Sequence, residues 1–240
     1  MTRILAIDTS SAWCSVALSL NDEAPLVRHQ KVSAGASQLL LPWIEELFAE
    51  TSSKLSSLDA IAVGVGPGAF TGVRLAVAAA QGLATAARLP VIPVASLDAI
   101  ASQLRLKPSF ISVGARSFVV AADARMGEVY WATYRSVPNQ LPQRQGEIHL
   151  TTPELVELKN IEFLAGSAIA EFEDRLFTSI HSPFPSSRLD PEISVNAQGV
   201  LACAQNMWHQ GLQQDIHLLE PLYIRNKVAF TSAERSQQHG

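Results

Sequence analysis

Charge is scarce in this 240-residue chain: charged side chains make up 17% of it, against roughly 25% in an average soluble protein. With 18 basic and 22 acidic residues the net charge is −4, so no basic field draws a nucleic-acid backbone to the chain alone. Cysteine is nearly absent. Cys14 and Cys203 stand apart without a CxxC spacing, which excludes a disulfide framework and a cysteine zinc site. The histidines, His29, His149, His181, His209, His217 and His239, form neither HxxxH nor HExxH, so metal-assisted hydrolysis has no visible ligands. No Gly-x-Ser-x-Gly elbow presents a serine nucleophile. No apolar run reaches the roughly 20 residues of a membrane span, and Met1–Asp8 enters a strand pattern without a signal-peptide layout. The expectation is a cytoplasmic, soluble chain with no membrane partner.

Apolar residues, at 48%, dominate what is there. Their most informative stretch is Gly64-Val65-Gly66-Pro67-Gly68-Ala69-Phe70-Thr71-Gly72-Val73-Arg74, which follows the buried-strand pattern Ala60–Val63. The helix that continues through Ala87 has almost no polar face. A helix apolar all round is buried all round, and in a chain this short that points to a second protein. Gln38–Phe48 reads as another helix with apolar surface on two sides, Leu40, Trp43 (or Ile44) and Leu47 inward and Leu39 beside the Leu41/Phe48 side outward.

The alternation predicts strands at Ile4–Ile7, Ser15–Leu20 and Pro25–Val32, an antiparallel meander, then a helix from Ser37 (as N-cap) to Ala49 with Pro42 near its first turn. A strand Ala60–Val65, the apolar helix, a strand Val91–Val94 and a helix opened by Ser96 complete an α/β lobe. Arg105–Ser117 reads as a linker. Phe118–Ala122 and Glu128–Tyr134 form a hairpin around Asp123–Gly127, helices start near Thr152-Pro153 and span Asn196–Gln210, and Ser182–Pro191 is a loop. The chain beyond Thr231 reads as a frayed tail, and Arg225, Lys227 and Arg235 near the C-terminus form the one local basic cluster. The units expected are 1–105, 106–218 and a C-terminal segment 219–240.

The glycine run fails the Walker pattern, and although Gly64-x-Gly66-x-x-Ala69 fits a dinucleotide fingerprint, no Asp or Glu follows at the ribose distance. Asp8, Thr9 and Ser10 at the first strand's end, with Gly68 and Thr71, are the candidate residues for a phosphate and its cation; the plainer reading is a turn that satisfies its own backbone and glycines that serve packing. Asp123 and Arg125 are either a solvated hairpin tip or a charge pair facing a cleft between lobes.

Four segments carry a resemblance across nearly the whole chain: Ile4–Ser10, Gly66–Arg74, Asp123–Tyr130 and Pro221-Leu222-Tyr223-Ile224-Arg225. Together and in this order they resemble the bacterial TsaB (formerly YeaZ) family of tRNA threonylcarbamoyladenosine biosynthesis proteins. The resemblance implies a two-lobed actin/Hsp70/sugar-kinase-like (ribonuclease H-like) α/β fold, with mixed sheets flanked by helices. It implies a non-catalytic scaffold that binds the larger paralogue TsaD. That subunit carries the metal and the ATP or ADP, and transfers threonylcarbamoyl to an adenosine beside the tRNA anticodon. The ATPase TsaE is a further implied partner, tRNA is reached only through the complex, and a homodimer forms when the chain is alone. The paralogue's HxxxH would fall at Gly35-Ala36-Ser37-Gln38-Leu39, where no histidine stands, and the histidine usual in the family just ahead of Ser37 is Ala36 here. The two early helices are the family's dimer face, which places Leu39, Trp43, Leu47, Ala76, Ala79, Ala80 and Leu83 at the partner interface; a specific interface buries about 1,600 Å² in total. The alternative is a small nucleotide-binding kinase or ATPase of the same superfold, acting through Asp8.

Overall fold

The computed structural model describes residues 2–20, 23–32, 35–178, 180 and 184–224. Strands β1 (Ile4–Asp8), β2 (Trp13–Ser19) and β3 (Leu26–Lys31) form the expected antiparallel meander, with β1 buried throughout, β2 buried beyond Trp13, and β3 largely exposed at the sheet edge. Helix α1 (Ala36–Glu50) follows, then β4 (Ala60–Gly66), α2 (Phe70–Ala87), β5 (Val91–Ala95) and α3 (Ser96–Leu104). In the second half, α4 (Pro108–Val113) precedes β6 (Ser117–Asp123), β7 (Val129–Arg135) and β8 (Gln143–Thr151). Then come β9 (Phe163–Ala165), α5 (Ala168–Leu176), β10 (Leu189–Asp190) and α6 (Ala197–His209).

Two five-stranded sheets result, β3-β2-β1-β4-β5 and β8-β7-β6-β9-β10. In each, an antiparallel meander is extended by two parallel strands, so the halves repeat one topology. Helices α1 and α2 cover the outer face of the first sheet through Leu40, Ile44, Leu47, Val73, Ala76 and Ala80. Helices α3 and α6 lie between the sheets and share one core with both, from Ile4 and Ala62 to Phe118 and Phe163. Helix α5 packs on the outer face of the second sheet. A polar tie crosses the layers: Tyr134 Oη donates to Asp98 Oδ1 at 2.7 Å and Arg144 Nε lies 3.5 Å from the same oxygen.

Several sequence expectations need correction. Ser37 is inside α1, whose N-cap is Gly35, and Pro42 sits mid-helix on the helix's exposed side, where the bond its missing N–H forgoes is least costly. Helix α3 does open at Ser96, with Ala95 in the N-cap position. Arg105–Ser117 is not only a linker, since Pro108 starts and the left-handed Gly114 ends a helix that sets Phe110 edge-on against Phe118 and Phe163. Thr152 caps a single 3-10 turn, Pro153–Leu155, because Val156 and Leu158 are buried with Glu157 exposed between them, an extended period of two. Within Ser182–Pro191, a 3-10 turn Ser186–Arg188 leads into β10. The tail and its basic cluster lie outside the described residues.

Candidate functional site

The end of β1 and the glycine connection from β4 to α2 meet at one point. Asp8 ends β1 fully buried, and Thr9 and Ser10 are buried behind it. Asp8 Oδ1 accepts from Ser10 N at 3.0 Å, and Ser10 Oγ donates to Asp8 and lies 2.9 Å from Ser96 Oγ at the start of α3. Thr9 Oγ1 donates to the Gly72 carbonyl at 2.6 Å, and Ala69 N donates to the Ser10 carbonyl at 2.7 Å. Glycine permits this contact: a Cβ on Gly68 would overlap the Ser10 carbonyl, one on Gly72 the Thr9 carbonyl, and one on Gly64 the Asp8 carboxyl. The glycine run is thus pressed against the Asp8–Ser10 turn.

Burial lifts the Asp8 carboxyl from 3.8 to about 7, the hydrogen bonds from Ser10 opposing it. An actin-like fold implies a nucleotide phosphate and its cation at this turn. As placed, Asp8, Thr9 and Ser10 spend their polar atoms on one another and on the glycine run, and none is open to solvent. Only Gly68, half-buried, and Thr71, exposed at the start of α2, remain accessible among the candidate residues. The arrangement does not fit a bound phosphate, and Ser96, which completes the network, carried no sequence signal beyond opening a helix.

The α1–α2 layer presents a different surface. Leu47, Ala76 and Ala80, expected at a partner interface, are instead completely buried against the chain's own sheet and belong to its core, because they are on the sheet-facing side of the two helices. Leu39, Trp43, Ala79 and Leu83 are half-buried along the two helices. Outside them, Leu41 is 49% and Phe70 41% exposed, and Ala78, Gly82 and Ala86 are open to solvent. Phe70, Arg74 and Tyr223 cluster at one end of this surface, a group that no single spacing in the sequence announced.

The Asp123–Arg125 pair closes its own hairpin: Arg125 N donates to Asp123 Oδ1 at 2.8 Å, and the two charged groups are 3.1 Å apart. A polar groove of about 530 Å³ runs between α3 and α6, lined by Gln103, Arg105, Lys107 and Gln205 among others, and shares no residue with the glycine turn. Among the described residues no three His, Cys, Asp or Glu side chains gather as a metal cluster, and no helix is long and apolar enough to cross a membrane.

Two sheets of repeated order, a helix layer between them and a glycine turn against the first hairpin define an actin/Hsp70/sugar-kinase-like chain. A family model described as TsaD, tRNA N6-adenosine threonylcarbamoyltransferase, matches residues 29–232. The tRNA threonylcarbamoyladenosine biosynthesis protein TsaB of Escherichia coli is 33% identical, over 95% of this chain and 96% of its own length. The protein of the same name from Haemophilus influenzae is also 33% identical, over 95% of each chain. The solved structure of YeaZ from Pseudomonas aeruginosa superposes with a TM-score of 0.80 at 33% identity, covering 93% of this chain and 100% of that one. The chain belongs to the TsaB (YeaZ) family.

Proposed function

We propose that this chain serves tRNA threonylcarbamoyladenosine biosynthesis in the cytoplasm as a non-catalytic scaffold, docking a TsaD-like catalytic subunit on its α1–α2 face. The observation that carries the reading is the exposed apolar stripe on two helices already packed on their own sheet. A lone protein leaves few such surfaces uncovered, and small residues such as Ala78, Ala79 and Gly82 let a second helix layer approach closely. Family membership supports the pathway. The enclosure of Asp8 supports the absence of chemistry, since nucleotide turnover by the same superfold needs that carboxylate within reach of a phosphate and its cation. In this reading the ATP or ADP and the metal belong to the catalytic subunit, a TsaE-like ATPase joins the assembly, tRNA is met through the complex, and a homodimer uses the same face when the chain is alone.

The test is a co-purification from the chain's own lysate. Tagged protein should recover a larger HxxxH-bearing paralogue in stoichiometric amount, and Ala78→Glu, at an exposed position of the same stripe, should abolish that recovery while leaving the melting temperature unchanged. Magnesium-dependent ATP turnover by the purified chain, lost in Asp8→Ala, would overturn the scaffold reading in favour of a kinase or ATPase.

A further inference from the structure

Arg74 follows Phe70 by one helical turn on α2, and its guanidinium carbon lies 3.7 Å from the Phe70 ring centroid. The same carbon is 5.8 Å from the Tyr223 ring centroid, and Arg74 Nε donates to Tyr223 Oη at 3.0 Å. Two aromatic side chains, one from the same helix and one from the far C-terminal part of the sequence, therefore fix the orientation of one planar cation, although Phe70 is 41% and Tyr223 51% exposed. Among the described residues no carboxylate joins the cluster. Arg3, Arg28, Arg116, Arg125, Arg144 and Arg175 each reach a carboxylate; Arg74, like Arg88, Arg105, Arg135 and Arg188, has none within ion-pair distance among the described residues, and what sets it apart is the pair of rings that hold it.

Its position makes that vacancy matter. Arg74 lies on the exposed stripe of α2 that continues through Ala78 and Gly82, the face assigned above to a partner. Covering the stripe strips water from the guanidinium, and a desolvated charge left without a counter-charge is strongly unfavourable. With Nε held by Tyr223, the two terminal NH2 groups remain to bond a planar acceptor, and an already oriented fork loses little freedom on binding. Arg74 is also the only Lys or Arg between Lys54 and Arg88, so the helix offers one positive charge, matched by one carboxylate better than by a multiply charged phosphate.

We propose that Arg74, held by Phe70 and Tyr223, is a preorganised receptor for a carboxylate side chain of the partner subunit, which pairs with it when the α2 stripe is covered. The proposal rests on the docking reading, so the experiment separates the two. The chain and the TsaD-like subunit of the same organism are titrated by calorimetry at two salt concentrations, first without nucleotide and then with ATP. Melting curves serve as the folding control. Leu83→Glu, a test of docking alone, should abolish binding. Arg74→Ala and Arg74→Lys should each weaken it at least about tenfold, the lysine failing because it keeps the charge and loses the fork. Arg74→Ala should also flatten the salt dependence. Full affinity of both Arg74 variants beside loss in Leu83→Glu overturns the receptor and leaves docking standing. Unchanged binding in Leu83→Glu overturns docking and the receptor with it. An Arg74 effect seen only after ATP is added makes the occupant a phosphate, which also overturns the proposal.

Discussion

Asp8 is a carboxyl group in the interior that accepts from Ser10, which in turn meets Ser96, and among the described residues no cation pairs with it. Its pKa of about 7 in the folded chain stands above the 3.8 of the free side chain, so between those values the native state holds a proton that the unfolded state has lost. Its contribution to stability is therefore fully present below about pH 4 and declines as pH rises through 7, on the order of 4 kcal/mol for about three units. Asp8→Asn, neutral at every pH, should remove this slope. The difference in unfolding free energy between wild type and variant, measured by urea titration at pH 4.5, 6 and 7.5, should fall with rising pH; a constant difference would contradict the buried, uncompensated acid. At this scale the sequence revealed half of the network. Asp8, Thr9 and Ser10 stand together as neighbours, while Ser96, 86 positions from Ser10, is joined to them only by the fold. The Arg74 cluster was hidden in the same way, since Tyr223 comes from 149 positions away.

Among the elements, α2 shows how one residue type serves two ends. Gly72 faces the Thr9 carbonyl, and the gain of about 1 kcal/mol that alanine brings to a helix is outweighed there by overlap with backbone. Gly82 has nothing within 4 Å of where a Cβ would stand. Gly72→Ala should lower stability by about 2 kcal/mol and Gly82→Ala raise it by about 0.5–1 kcal/mol, both read by chemical denaturation of the isolated chain. Equal effects would remove the close contact between turn and helix from the account. The same helix was legible in the sequence by its length and its unbroken apolar character, as was the meander by its alternation. Strand β8 was not: as an edge strand with only Ile148 buried, Gln143–Thr151 carries polar side chains on both faces and no hydrophobic period. Helix α4 was masked by its own start and stop residues, Pro108 and Gly114, which read as breakers when the buried Phe110 between them goes unweighed.

Across the whole molecule, the layer between the sheets joins what the sequence separates. We propose 1–105, 106–218 and 219–240 as units of the chain, yet α6 from the second packs on β1, β2 and β4 of the first. Ala197 N donates to Ser15 Oγ at 2.8 Å, and Leu222 N from the third donates to the Val65 carbonyl at 2.8 Å. A fragment of residues 1–105 would expose the inner face of its sheet, so it should show no cooperative melting, whereas the full chain should unfold in one transition by calorimetry. The outer helix layer makes the opposite demand, since it is complete within the chain and still presents apolar surface. The account's central claim is that this surface is a docking face for the catalytic relative, and light scattering on a gel-filtered mixture of the two purified subunits tests it most directly. One stable complex with wild type and separate peaks with Leu83→Glu is the predicted result. Separate peaks with wild type, or a complex that survives Leu83→Glu, would contradict it.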